Sequence, residues 1–442
     1  MGSAKIQAKA NESRTLDTVG PSGTGFSINS NESSEKANQK QIWTSDEGRW
    51  DIIVSRAFNA VISFLPSPDS ADPQSYDLLP HHSIRSLIIL SYLPELISDL
   101  LINDSVTDWT IRSEVYNSML SLLRCMANSE LTVNALVEEK WEKKKSQGLE
   151  AWMWREGAVE WEKTRDNLSI LRAPPIYDRF KKLTKQCETF LAGVAHLLEN
   201  DGDDETVEMT IKTTSLCGDM ISAQQDMQRI ISVLTRGKAP KTSTSQSTTP
   251  DAKGKGKDPN FELEKRYAVE CEKLAFKYVP LHTEADNSGG GLDFQGFHYK
   301  KEVTATEKST RLPKDRLHLI KEISALSTSL PPGVWVRVDD VRTDVIKFMI
   351  AGPEGTPYAN GLYEFHCFMP INYPNSPPLI NFQTTGGGKV RFNPNLYNNG
   401  KVCLSLLGSN ENEQWSPSQS TLLQVIVSIQ SMILVEAPYF NE

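Results

Sequence analysis

The chain has 442 residues, a formal net charge of -9 and a pI near 5.5. That length suggests two or three domains. The acidic balance excludes nucleic acid as the main partner, because such binding would favour a basic patch. The six cysteines, Cys125, Cys187, Cys217, Cys271, Cys367 and Cys403, are scattered without a C-x-x-C pair, which indicates neither a zinc site nor a disulfide framework.

No secretory signal opens the chain. Ile6 stands where a myristoylation motif after Gly2 wants Ser or Thr. Free thiols suit a reducing compartment, so the expected location is the cytoplasm, with the nucleus left open.

Residues 1–45 are rich in Ser, Asn, Gly and Thr and predict a disordered tail. Residues 46–236 read as helical. Trp50, Ile53, Ala57, Val61 and Phe64 recur at three- and four-residue steps behind Ser45 as a cap. Pro66, Pro68 and Pro73 then break the chain. The apolar run from Leu87 to Ile102 is interrupted by Pro94, Glu95 and Asp99, which marks a buried helix rather than a membrane span. Ile111, Val115, Met119, Leu122, Leu123 and Met126 fall on one helix face. The helix lengths look armadillo-like, but no repeat is found, so the region is read as a helical bundle, all-α.

From Glu138 to Arg165 a charged stretch carries Trp141, Trp152, Trp154 and Trp161. It reads as a helix whose rings either form a docking surface or cap the helical core. Helices are expected again from Ile176 to about Leu198 and from about Glu205 to Leu234, with a solvated turn at Asn200–Glu205 that lacks the spaced ligands of a calcium loop. Residues 237–260 form a Lys-, Ser- and Gly-rich linker. Residues 261–296 hold a helix, Phe261 to Tyr278, and a loop. The last folded domain covers 297–442.

In that domain a thiol follows closely on a side-chain amide, in Asn393-Pro394-Asn395-Leu396-Tyr397-Asn398-Asn399-Gly400-Lys401-Val402-Cys403. A thiolate can hold an acyl group as a thioester and release it to an amine. An Asn amide can donate to the oxygen that becomes negative during the transfer. Taken alone, a Cys between Val402 and Leu404 is more commonly a small buried hydrophobe in a strand.

Other segments of the domain resemble the ubiquitin-conjugating enzyme family, in the family's order. They are the helix around Arg316 to Ile323, Pro331-Pro332-Gly333, and the turn Gly352-Pro353-Glu354-Gly355-Thr356-Pro357-Tyr358-Ala359-Asn360-Gly361. Tyr373-Pro374-Asn375-Ser376-Pro377-Pro378 follows, then the Asn-to-Cys stretch and Trp415-Ser416-Pro417 ahead of an apolar helix through Leu434. Pro357–Gly361, Phe392–Tyr397 and Pro438–Glu442 are similar to the giant inhibitor-of-apoptosis subfamily, which combines conjugating and ligase activities. That subfamily's baculoviral repeat needs clustered Cys and His ligands, and none is present.

The resemblance implies an α+β fold, a four-stranded antiparallel meander with flanking helices. The chain stops at Glu442, where relatives continue, so the last helices are expected to be truncated. It implies catalytic residues Cys403, which forms the thioester, and Asn395, which stabilises the oxyanion. Asn393 replaces the family's structural His, a role an amide can fill. Glu411, Glu413, Asn441 and Glu442 are candidates for assisting the incoming lysine, or solvated loop residues.

The implied partners are ubiquitin, the activating enzyme and protein substrates, with no membrane and no nucleic acid. Lys314, Arg316 and Lys321 resemble the family's docking face for the activating enzyme, or are ordinary solvated charges. Asn375 stands where many members carry a Phe that docks RING ligases, which puts that contact in doubt. No cofactor and no metal are implied. Gly386-Gly387-Gly388-Lys389 is a flexible loop rather than a phosphate loop. The rival expectation is a non-catalytic scaffold or adaptor that keeps the fold for binding.

Overall fold

The computed structural model describes residues 35–67, 70–146, 154, 159–164, 169–194, 204–236, 259–284, 291–408 and 415–438. The chain divides into two compact units, Met1–Trp50 and Asp51–Glu442. In the first, residues 35–50 are helical, so helix begins within the stretch read as a disordered tail. Residues 1–34, and the linker up to residue 258, lie outside the described residues.

The first half of the second unit is a helical bundle. It runs from the latter part of α1 (Glu35–Phe64) through α2 (Ser75–Leu78), α3 (Ser83–Leu90), α4 (Leu93–Ile102), α5 (Val106–Ile111), α6 (Ser113–Ala127) and α7 (Glu130–Val137) to α8 (Ile176–Val194) and α9 (Asp204–Arg236). Its core gathers Phe58, Ile97, Trp109, Tyr116, Met119, Leu122, Phe180, Phe190 and Met220. The polar tips of the large rings are satisfied: Trp109 Nε1 donates to Asn103 O at 3.0 Å and the Tyr116 hydroxyl to Leu100 O at 3.2 Å.

The heptad-like spacing in α6 is borne out, with Val115, Met119, Leu122, Leu123 and Met126 all buried. Ile111 is exposed instead, because a new helix starts at Ser113 and rotates it off that face. Among the residues of α1 whose burial is described, Phe58 is buried, while Ile53 and Phe64 are exposed; three- and four-residue spacing fits two adjacent faces there. The Leu87–Ile102 run is two helices, parted at Ser91 and Tyr92 with Pro94 in the first turn of α4.

The tryptophan-rich stretch is not helical where it is described. β1 (Lys140–Trp141) pairs with β4 (Arg172–Ala173), and β2 (Lys143–Ser146) pairs with β3 (Val159–Trp161), both antiparallel. Two lysines anchor these ribbons to the bundle. Lys140 Nζ donates to Pro94 O and Ser98 Oγ on α4, and Lys143 Nζ donates to Ile89 O and Ser91 O, where the cation caps the C-terminal end of α3. Trp141 lies half-exposed under the Arg172 guanidinium, 4.6 Å from the ring centre.

The second half begins with α10 (Pro259–Leu274), which stops where Phe276-Lys277-Tyr278-Val279 turns into β5 (Phe276–Val279). The expectation of helix through Tyr278 fails here. The aromatic, β-branched alternation is resolved as strand by an available edge, that of β8 (Val334–Asp339), to which β5 is parallel. β6 (Thr283–Glu284) and β7 (Leu292–Asp293) form a small ribbon, and α11 (Lys300–Ala305) and α12 (Pro313–Ser329) follow. The expected antiparallel meander is β8, β9 (Val345–Ala351), β10 (Leu362–Phe368) and β11 (Leu379–Phe382), and β5 makes the sheet five-stranded, in the order β11-β10-β9-β8-β5. α13 (Leu422–Ser428) closes the domain and runs on into a π-helical turn, Ile429–Ile433.

The helix α12 joins the two halves. Its Leu319, Ile323 and Leu326 enter the core against the sheet, while Leu317 and Ile320 enter the core of the helical bundle. The approach to α8 is close: a Cβ at Gly193 would stand 2.9 Å from Ile320 Cγ2. Around this apolar seam, Ser329 Oγ donates to Asp104 Oδ2 at 2.9 Å and Thr328 Oγ1 to Gln186 Oε1 at 3.3 Å. Each fully buried Leu or Ile of this kind contributes roughly 1.5–3 kcal/mol, so the seam holds both halves as one folded body.

Candidate active site

The site hairpin follows β11. Leu396 bridges Val402, Cys403 N donates to Asn395 O at 2.8 Å, and Tyr397 N donates to Lys401 O at 3.0 Å. Gly400 makes the turn possible at φ +86°, where an added Cβ would collide with the Asn381 side chain at 2.4 Å. Its carbonyl accepts from Phe382 N at 2.8 Å, which fixes the hairpin to the sheet edge. Leu396 and Val402 are buried, so their neighbours Asn395, Tyr397, Lys401 and Cys403 share the opposite, outer face.

Asn393 is buried, and its amide is bonded at both its oxygen and its nitrogen. Its Oδ1 accepts from Asn395 N at 2.7 Å and Leu396 N at 2.9 Å, and its Nδ2 donates to Ile433 O at 2.8 Å. The last bond satisfies a carbonyl at the end of the π-helical turn and ties the loop to the C-terminal helix.

The structure brings Asn395 and Cys403 together. Asn395 accepts from the Cys403 backbone and donates from Nδ2 to Cys403 O at 3.0 Å, while its own Oδ1 is buried without a protein donor. A primary amide has two N–H bonds, so one remains for an oxyanion. Cys403 is half-buried. Among the other thiols, Cys187, Cys217 and Cys367 are buried, and burial pushes the ionisation of Cys125 and Cys367 up.

The supporting loops are held by side chains that sequence reasoning missed. Glu322, on the buried side of α12, accepts from the Tyr373 hydroxyl at 2.6 Å and from Leu422 N at the start of α13 at 2.5 Å. Burial raises its pKa to about 7, against the opposing effect of those two hydrogen bonds. Arg311 gathers the carbonyls of Met369, Pro370 and Tyr373 at 3.0, 2.7 and 3.2 Å, and its pKa is lowered by burial. Trp415 packs on Tyr373 with ring centres 5.6 Å apart and donates to Pro374 O at 2.6 Å. The available signal was a lone carboxylate among apolar residues in His318-Leu319-Ile320-Lys321-Glu322-Ile323.

Of the expected basic face, Lys321 is turned to the helical half, with Nζ 3.2 Å from Thr107 Oγ1, and Lys314 is exposed. Asn375 is exposed, on a turn closed by its own N–H to Asn372 O. Glu411, Glu413, Asn441 and Glu442 lie outside the described residues.

Among the described residues one group has metal-ligand geometry, His282 with Asp339 and Asp340. Asp339 already accepts from Leu281 N, Val341 N and Arg342 N at 2.7–3.1 Å, with His282 Nδ1 at 2.8 Å, so it acts as a staple of this loop. No helix among the described residues is long and apolar enough to cross a membrane.

A family model described as ubiquitin-conjugating enzyme matches residues 318–441. Over 388 residues, 85% of the chain, the sequence is 34% identical to a mouse protein named dual E2 ubiquitin-conjugating enzyme/E3 ubiquitin-protein ligase BIRC6, and the human protein of that name is 34% identical over 372 residues. The match spans only 8% and 7% of those relatives. A Caenorhabditis elegans protein named probable ubiquitin-conjugating enzyme protein 17 is 49% identical over 152 residues, 33% of this chain and 21% of that one. Among solved structures, human ubiquitin-conjugating enzyme E2 G1 is 30% identical with a TM-score of 0.24, over 26% of this chain and 92% of that one.

Proposed function

We propose that this chain, which belongs to the ubiquitin-conjugating enzyme family through residues 318–441, accepts ubiquitin as a thioester on Cys403 and passes it to a substrate lysine. The observation that carries the reading is the pairing of Asn395 with both backbone groups of Cys403 on the outer face of one hairpin.

In the first step the Cys403 thiolate attacks the thioester carbonyl of ubiquitin held on the activating enzyme. The tetrahedral intermediate collapses and the activating enzyme's thiolate leaves. In the second step a neutral lysine amine attacks the new carbonyl carbon. The second Nδ2 hydrogen of Asn395 meets the developing oxyanion, the amine loses a proton, and the Cys403 thiolate departs as the isopeptide bond forms. Asn393 positions that amide by fixing Asn395 N and Leu396 N.

The named vertebrate relatives are dual conjugating enzymes and ligases, and we extend that to this chain: it modifies substrates without an added RING ligase. The exposed polar Asn375 supports this, since a RING partner would meet an amide there. The substrate-recruiting surface then belongs to the helical half, which the α12 seam fixes to the conjugating domain. The six free cysteines suit the reducing cytosol.

The test is a charging assay with activating enzyme, ATP and ubiquitin, read on reducing and non-reducing gels. A reducible adduct that is absent from Cys403→Ala supports the reading. A folded parent that never charges would turn the assignment to the scaffold.

A further inference from the structure

We propose that the cavity between the start of α9 and the α11–α12 connection binds the phosphate monoester of a small organic molecule, and that the bound ligand ties the helical half to the conjugating half. No wall of this cavity belongs to the Asn395–Cys403 hairpin, so the inference stands apart from the transfer chemistry.

The cavity measures about 410 Å³, within the range of small-molecule sites, roughly 300–1,000 Å³. Thr206 and Thr210 of α9 line one side. Arg311 of the connection, Arg316 of α12 and the β8–β9 turn, Val341–Asp344, line the other. An occupant therefore touches both halves of the chain. Val207, Leu319 and Ile371 add apolar surface between the polar groups. That mixture suits an organic body with one charged end better than a bare ion.

The arginines set the sign of that charge. Asp344 is spent on Arg342, which it meets through both carboxylate oxygens at 2.9 and 2.7 Å. Arg311 makes no ion pair among the described residues. Three of its five N–H groups go to the carbonyls of Met369, Pro370 and Tyr373, which leaves two. Burial pulls the pKa of Arg311 down, although Asp344 and Asp315 act in the opposite sense, and burial lowers Arg316 as well. A guanidinium lowered in this way has lost more hydration than nearby carboxylates restore, so an added anion is favoured beside it. The Thr206 and Thr343 hydroxyls have no protein partner among the described residues and can donate to further oxygens. A phosphate monoester answers this donor set, with three acceptor oxygens, close to two negative charges at neutral pH and a geometry that matches guanidinium forks. Glu307 is the remaining carboxylate of the wall, and it is exposed.

The experiment is calorimetric titration of the full chain near neutral pH, at matched ionic strength, with phenyl phosphate, inorganic phosphate and benzoate as probes. Phenyl phosphate should bind saturably and most tightly, inorganic phosphate next and benzoate least. Glu307→Gln removes the unspent carboxylate and should tighten phenyl phosphate by roughly twofold to fivefold, the scale of one exposed charge pair. Thr206→Asp places a resident carboxylate in the cavity and should abolish saturable binding; an acid in the first turn of α9 is compatible with the fold. Hydrogen exchange of the parent should show protection by phenyl phosphate at both walls, residues 206–210 and 341–344. Absence of saturable binding to the parent, binding that is the same in all three proteins, or benzoate binding as tightly as phenyl phosphate would overturn the site. Protection confined to one wall would overturn the tie between the halves.

Discussion

The helical half and the conjugating half are held together by different means. The bundle around Phe58, Trp109, Phe180 and Phe190 is kept by apolar packing, and most of its polar bonds close local turns. The conjugating half also has an apolar core, yet its loops are fixed by single polar side chains: Asn393 under the hairpin, Glu322 between α12 and α13, and Arg311 under the 369–373 turn. Packing tolerates many sequences of similar volume, whereas a side chain that bonds three backbone groups tolerates few. Substitutions in the first half should therefore act on stability, and those in the second on geometry.

Phe180→Ala is the largest challenge to that division. The ring is fully buried in the bundle, and its loss should cost about 3–5 kcal/mol in denaturant unfolding, while molecules still folded discharge ubiquitin at the parent rate. A parallel loss of discharge rate would mean that the halves are coupled in function as well as in folding. Asn395→Ala should do the opposite. Lysine discharge falls on the order of a hundredfold to a thousandfold, as for other lost oxyanion donors, with a small change in melting temperature.

The seam between the halves gives an intermediate case. Gly193→Val places methyl groups against Ile320, already 2.9 Å from an added Cβ, and overpacking of that kind costs about 1–3 kcal/mol. A single, lower-temperature transition is expected in calorimetry. Two separate transitions would show that α12 can release α8 without unfolding.

Glu322 yields a pH signature rather than a fixed loss. Its folded pKa, about 7, lies above the unfolded value of 4.5, so folding takes up a proton between those values. Its contribution is complete below pH 4.5 and is lost as pH rises through 7. Glu322→Gln should gain melting temperature relative to the parent as pH goes from 5 to 8. A constant difference across that range would remove the carboxyl from the account.

The same contrast explains what could be read from the sequence. The meander, the Asn-to-Cys hairpin and the α12 helix were readable, because turns that need Gly352, Gly400 or Tyr358 at one geometry leave fixed residues at fixed spacings. β5 was not, since Phe276–Val279 is strand only by virtue of the β8 edge beside it. Nor were the ribbons at Trp141 and Trp161, whose partners lie up to 33 residues away in the chain and whose lysines, Lys140 and Lys143, bond to α4 and to the end of α3. Helical periodicity placed α6 correctly and chose the wrong face of α1, where two apolar faces compete. In the site, the pairing of Asn395 with Cys403 was foreseen, and the hub at Glu322 was hidden because a lone carboxylate on a helix reads as solvated until its burial is seen.

The central claim is that Cys403 alone among the six thiols carries the acyl group. Peptide-mapping mass spectrometry of the charged protein, trapped at low pH without reductant, tests it most directly. The account predicts the ubiquitin C-terminus on the peptide containing Lys401-Val402-Cys403, with the other five cysteines free. A thioester on Cys271 or Cys125, or none on any thiol of the folded protein under conditions that charge a known conjugating enzyme, would contradict it.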